Sequence, residues 1–249
     1  MRRAAPRVRV YPTSQALATG AARTLVRRAA SAVSARGRFT LALSGGLTPD
    51  ELYQALLARG PEALPYDQME LFWSDERAVP PSHPASNYRL AWERWLARAP
   101  VRARAVHRIR GEARPLQREA RRYARLLVRR LGVPPRIDLI LLGIGLDGHT
   151  ASLFPRSTAL RSEALVDVSL SPLPPRQRIT MTLPLIRSAR AVLLLAGGAA
   201  KAGPVARALL DPPSDVGPAS LVRGAGVIWL LDAPAAALLP RALRSSHRP

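Results

Sequence analysis

The chain contains no cysteine. That excludes disulfides, thiolate metal sites and a thiol nucleophile, and it is compatible with a reducing cytoplasm, the expected setting. Aromatic residues make up only 5% of the chain, too few for obvious base-stacking platforms. No apolar run approaches the ~18 residues of a membrane-spanning helix, so no membrane partner is expected. Acidic residues are scarce, 17 against 38 basic ones, and none precedes Asp50. Lysine is scarcer still: Lys201 is the only one, and every other basic residue is arginine.

A formal net charge of +21 invites a nucleic-acid interpretation. The basic residues are scattered along the whole chain, however, and alanine and proline are abundant too. This is the signature of a general preference for Arg, Ala and Pro, so no specific nucleic-acid partner is expected. The excess charge would still steer a small phosphorylated substrate towards the protein. The arginine-rich N-terminus superficially resembles an organellar transit peptide but lacks its serine richness, and Val8–Tyr11 has the pattern of a strand. It is therefore assigned to the fold.

The 249 residues suit one α/β domain spanning 1–249, and an apolar content of 47% suffices for a sizeable core. Strands are expected at 8–11, 39–43, 70–73, 137–142, 179–183, 191–196 and 226–231, the last closing the sheet. Helices are expected at 14–35, from Thr48 to about 59, at 87–97, 112–131 and from Lys201 to 210. This alternation predicts a Rossmann-like α/β fold, a mostly parallel sheet with helices on both faces. In the 112–131 segment, Leu116, Ala120, Tyr123, Leu127 and Leu131 share one face and the arginines the other, a core stripe beneath a solvated charged surface.

The most informative stretch is Ile137-Asp-Leu-Ile-Leu-Leu-Gly-Ile-Gly-Leu-Asp-Gly-His-Thr-Ala-Ser-Leu-Phe-Pro155. A buried strand stops at glycines and delivers Asp147 and His149 to its carboxyl end, where open α/β sheets bind ligands. Of the other histidines, His83 and His107 have no such setting and His247 lies in a polar terminus. Gly143-Ile-Gly145-Leu-Asp-Gly148 also matches a dinucleotide-binding fingerprint, with Asp167 about twenty residues on. Against that, Asp147 would place a carboxylate in the pyrophosphate cradle, and Pro155 interrupts the helix that should follow. His149 is the natural general base, its tautomer set by Asp147 or a backbone carbonyl; a purely structural histidine is the alternative. No second histidine lies at zinc-ligand spacing, so no metal is expected. Ser152 lies three residues on, but no G-x-S-x-G elbow supports a serine hydrolase.

Ser44, Gly45 and Gly46 join a strand to a helix with Thr48 as expected N-cap, Pro49 at N1 and Glu51 completing a capping box. Glycines and a helix N-terminus suit an oxyanion, although a plain tight turn has the same composition. Asp50 and Glu51 would oppose an anion slightly, so an external cation should help. Arg77 and Lys201 each follow a strand end, where Arg grips phosphate bidentately and Lys supplies a point charge. The alternative for each is a surface ion pair.

With these blocks in place, the chain resembles the 6-phosphogluconolactonases of the pentose phosphate pathway. The matching stretches are Leu43–Pro49, Trp73-Ser-Asp-Glu-Arg-Ala-Val-Pro80, Ser86-Asn-Tyr88, Leu142–Pro155, Arg178-Ile-Thr-Met-Thr-Leu-Pro184 and Gly197–Ala202. The block with Asp-Gly-His-Thr-Ala-Ser-Leu-Phe-Pro is the most specific, whereas the Ser-Gly-Gly block is shared with sugar-phosphate deaminases and isomerases. The resemblance implies hydrolysis of 6-phosphoglucono-1,5-lactone without a cofactor, phosphate near Ser44–Gly46, Arg77 and Lys201, and His149 as base. Leu47 stands where the family often has a hydroxyl residue. Two rivals are an amino-sugar phosphate deaminase/isomerase using Asp75 as its base and a catalytically silent sugar-phosphate-binding regulator.

Overall fold

The computed structural model describes residues 6–244, so His247 lies outside the described residues. Six strands form one parallel sheet: β1 (Arg7–Tyr11), β2 (Phe39–Leu43), β3 (Met69–Trp73), β5 (Leu139–Gly143), β8 (Val192–Ala196) and β9 (Val227–Asp232). Their order is β1-β9-β8-β5-β2-β3. Three further strands, β4 (Asp75–Arg77), β6 (Val166–Leu170) and β7 (Gln177–Met181), form a small antiparallel sheet in the order β4-β7-β6. The helices are α1 (Ser14–Arg36), α2 (Leu47–Leu57), α3 (Asn87–Arg94), α4 (Leu116–Leu131), α5 (Leu183–Ser188), α6 (Ala202–Leu210) and the short α7 (Arg241–Arg244). Among the described residues no helix is long and apolar enough to cross a membrane.

The expected α/β, mostly parallel architecture is present, with four corrections. β9 does not close the sheet; it lies between β1 and β8, and all six of its residues are buried. The predicted strand at 179–183 begins at Gln177 and belongs to the antiparallel sheet, whereas Leu183 already starts α5. Neither β4 nor β6 was expected from the sequence. The long basic helix starts at Leu116 and not at 112, because Pro115 disfavours helical backbone in the residue before it.

The ends of the main sheet have different chemistry. At the amino ends, buried Asp138 accepts from the Thr40 amide (2.9 Å) and hydroxyl (2.8 Å) and from Arg36 (2.8 Å). The Asp138 amide donates back to Thr40 Oγ1 at 2.9 Å, which ties β5 to β2. α1 brings Arg36 there: it is capped by Thr13, whose hydroxyl accepts from the Ala16 amide, and it ends at Gly37 with φ 69°. The carboxyl ends of β2, β5 and β8 instead lead into glycine-rich turns, and there the cavity lies.

Candidate active site

A cavity of about 250 Å³ sits at the carboxyl ends of β2, β5 and β8, with β4 forming a side wall. Ser44, Gly45, Gly46, Arg77, His149 and Lys201 all line it. Asp147 stands behind His149. Every site residue expected from the sequence is therefore in the cavity wall or bonded directly to it.

The turn after β2 is held from below. The hydroxyl of fully buried Tyr53 donates to Ser44 O (2.6 Å) and accepts from the Ser44 amide (3.1 Å). Burial pushes that hydroxyl's pKa well above the ordinary tyrosine value, so it stays a neutral two-way link. The turn corrects the expected N-cap. α2 begins at Leu47, and Gly46 is the cap, with φ 107° and no side-chain capping bond. Only glycine adopts that backbone without strain. No side chain caps this helix start, and Gly46, Leu47 and Thr48 line the cavity, so their backbone lies where an anion site requires it. Asp50 does not oppose this strongly, because Arg94 pairs with it at 3.0 Å.

The base candidate sits in a tight loop after β5. The Gly145 amide donates to His149 O (2.8 Å), and the Gly148 amide to Gly145 O (3.1 Å). A Cβ at Gly145 would overlap the His149 ring, so glycine is required there by close approach. His149 Nδ1 lies 2.5 Å from Asp147 Oδ1, and the His149 amide donates to the same oxygen at 3.1 Å. Partial burial works to raise the Asp147 pKa, but the hydrogen bond and charge of His149 outweigh it and hold it below the usual aspartate value. An ionised Asp147 fixes the proton on Nδ1 and leaves Nε2 as the basic nitrogen. Phe154 packs against the imidazole, with ring centroids 4.6 Å apart. No α-helix starts at this loop, which removes the dinucleotide interpretation of its glycines; Asp167 lies on β6, in the other sheet. Ser152 is buried and donates to Asp75 Oδ2 at 2.6 Å, an arrangement unlike a nucleophile facing a histidine.

Two cations line the same cavity as the glycine turn. Lys201 Nζ donates to Ile144 O at 2.7 Å. Burial lowers its pKa below the ordinary lysine value, partly opposed by the charge of Asp147. Arg77 Nη1 donates to Ala85 O at 2.6 Å, which ties the 78–86 loop to the site. Arg178 lies opposite Arg77 in the antiparallel sheet and is only 7% exposed; burial first, and Arg77 next, push its pKa down to about 10. Among the described residues neither arginine has a carboxylate partner within 4.0 Å, although the charges of Asp75 and Glu76 partly offset the downward push on Arg178.

Sequence reasoning missed how this wall is built. Glu76, 2% exposed, accepts from the amides of Arg77 (2.8 Å), Asn87 (2.7 Å) and Tyr88 (2.8 Å) and from the Ser86 hydroxyl (3.0 Å). It thereby caps α3 and clamps it to β4. Burial raises the Glu76 pKa despite these four donors. A buried carboxylate is costly unless it is hydrogen-bonded, and Glu76 followed by Ser86-Asn87 about ten residues on was the available signal. Glu76→Gln turns an amide N–H₂ towards backbone donors. The expected result is a loss of about 2–3 kcal/mol of stability, read as a lower urea midpoint at unchanged slope.

Comparison with known proteins follows the same lines. The family model described as glucosamine-6-phosphate isomerases/6-phosphogluconolactonase matches residues 12–229. A 6-phosphogluconolactonase of Synechocystis sp. is 40% identical over 237 residues, covering 92% of this chain and 96% of the relative. The 6-phosphogluconolactonase structure from Trypanosoma brucei superposes with a TM-score of 0.79 at 29% identity, covering 94% of this chain and 99% of that one. A monomeric glucosamine-6-phosphate deaminase superposes with a TM-score of 0.81 at 27% identity, covering 93% and 99%.

Proposed function

The chain belongs to the glucosamine-6-phosphate isomerase/6-phosphogluconolactonase family, and on that footing we propose that it hydrolyses 6-phospho-D-glucono-1,5-lactone to 6-phospho-D-gluconate, a step of the pentose phosphate pathway. The observation that carries this reading is a single cavity that sets the Asp147-bonded imidazole of His149 among an open helix start and two cations. The phosphate binds at the Ser44–Gly46 turn, with Arg77 and Lys201 supplying positive charge. His149 Nε2 takes a proton from water as the water attacks the lactone carbonyl, and Asp147 stabilises the imidazolium so formed. The ring C–O bond then breaks, and the proton returns from His149 to the leaving ring oxygen. δ-Lactones already open in water, so a positioned base and a charged binding site provide sufficient acceleration. We place this chemistry in the cytoplasm, a setting with which the absence of cysteine is compatible.

The deaminase reading draws on one observation, that Asp75 also lines the cavity. Its carboxylate, however, accepts from Ser152 Oγ at 2.6 Å and, more weakly, from Ser74 Oγ and Asn87 Nδ2, each at 3.3 Å. Asp75 is thereby tied into the cavity wall, whereas Nε2 of His149 has no protein partner among the described residues. The test is the decay of 6-phosphogluconolactone, generated in situ, against its spontaneous rate. Acceleration of the phosphorylated lactone beyond that of glucono-1,5-lactone is the expected result. Ammonia release from glucosamine 6-phosphate with no lactone acceleration would assign the deaminase reaction instead.

A further inference from the structure

Asn87 is the first residue of α3, lines the cavity and is only 1% exposed. Its side-chain orientation is settled by its partners. Nδ2 donates to Asp75 O (2.9 Å) and to Asp75 Oδ1 (3.3 Å), both of which are acceptors only, so the amide oxygen must point the other way. That oxygen turns towards Gly45, in the place a Cβ there would occupy. Oδ1 has no hydrogen-bond partner among the described residues. Burying a carbonyl without a donor is unfavourable, yet the surroundings enforce it: Glu76 holds the Asn87 amide and Asp75 holds the Asn87 side chain. The groups proposed to bind phosphate are donors and cations. Asn87 Oδ1, buried against Gly45 in the same cavity wall, is an oriented acceptor.

We propose that Asn87 is a specificity-determining residue whose Oδ1 accepts a hydrogen bond from one hydroxyl group of the substrate's sugar ring. The proposal rests on the lactonase reading above and adds to it the group that distinguishes a polyhydroxylated phosphate ester from any other phosphate ester of similar size. Gly45 fits the same purpose, since any larger residue there would displace the acceptor. Asp75 acts here as a positioning residue that sets the direction of the amide. A site built to bond a hydroxyl discriminates sharply against analogues that lack it, because its own polar group is then left buried and unpaired.

The test compares kcat/KM for 6-phosphogluconolactone and its 2-deoxy, 3-deoxy and 4-deoxy counterparts, in the wild type, Asn87→Ala and Asn87→Ser. In the wild type, removal of one particular hydroxyl is expected to lower kcat/KM by about tenfold, with smaller effects at the other positions. In the variants that same penalty disappears, so the losses from substrate and protein do not multiply. A purely structural role for Asn87 would lower kcat/KM on all four lactones equally and leave the deoxy penalty intact, which overturns the proposal. Equal kcat/KM for all four lactones in the wild type overturns it as well, whether or not either variant folds. Absence of wild-type turnover on the parent lactone is a different failure, since it removes the lactonase reading on which the proposal rests.

Discussion

Replacing His149 by alanine is expected to lower the maximal rate of lactone hydrolysis by ~10²–10⁴-fold while leaving the affinity for 6-phosphogluconate close to that of the wild type. The split follows from the geometry. His149 is one of the cavity's walls, but the groups proposed to hold the phosphate, the Ser44–Gly46 turn, Arg77 and Lys201, are carried by other elements. Asp147→Asn gives a milder loss, because the amide no longer stabilises the imidazolium and no longer specifies the proton on Nδ1. Stopped assays against the spontaneous rate measure the rates, and calorimetry with the product measures affinity. An unchanged maximal rate in His149→Ala would remove the base assignment. Equal losses in rate and affinity would instead point to collapse of the 144–149 loop.

Lys201→Ala is expected to raise the KM for the phosphorylated lactone by about 10- to 100-fold, the range for a lost charge-assisted hydrogen bond. Hydrolysis of unphosphorylated glucono-1,5-lactone should change little. The pH dependence supplies an independent check. Burial lowers the Lys201 pKa below its ordinary value of 10.5, and the ammonium is the form that attracts phosphate. Affinity is therefore retained below the shifted pKa and lost as pH rises through it, with a midpoint below 10.5. In Lys201→Ala this alkaline limb disappears, and in Lys201→Arg it moves beyond the measurable range. A wild-type limb that survives in Lys201→Ala would belong to another group.

Much of this arrangement was legible in the sequence because it is written in local patterns. The runs Phe39–Leu43 and Val192–Ala196 are wholly buried, and a parallel strand covered on both faces has no other way to read. The Asp-Gly-His block was legible because two glycines fix where the chain turns and two residues fix how far Asp147 lies from His149. The small antiparallel sheet was not. β4 is Asp-Glu-Arg, three charged residues whose burial depends on α3 and on β7, about a hundred positions away. β6 alternates valine with Asp167 and Ser169 over five residues, too short a pattern to stand out. The Gly46 cap was missed for a different reason. Thr48-Pro49-x-Glu51 satisfies every local rule for a helix start, but the chain leaves β2 with φ 107° at Gly46 and enters the helix at Leu47. Asn87 was noted only within the Ser86-Asn-Tyr88 stretch and given no role, because the role proposed for it depends on an unpaired atom, which composition cannot reveal.

The solitary lysine has a practical side. Apart from the chain's own amino terminus, Lys201 carries the only primary amine in the protein, and its ammonium is half-buried against Ile144 O in the cavity. Amine-selective reagents such as acetic anhydride or pyridoxal phosphate with borohydride therefore have a single side-chain target. The number of adducts seen by intact-mass spectrometry becomes a direct gauge of whether the cavity is open, and it needs neither a turnover assay nor an engineered probe. Ligands that bind beside Lys201 shield this amine and those that do not leave it reactive, so a library of phosphorylated metabolites can be screened on the unaltered chain.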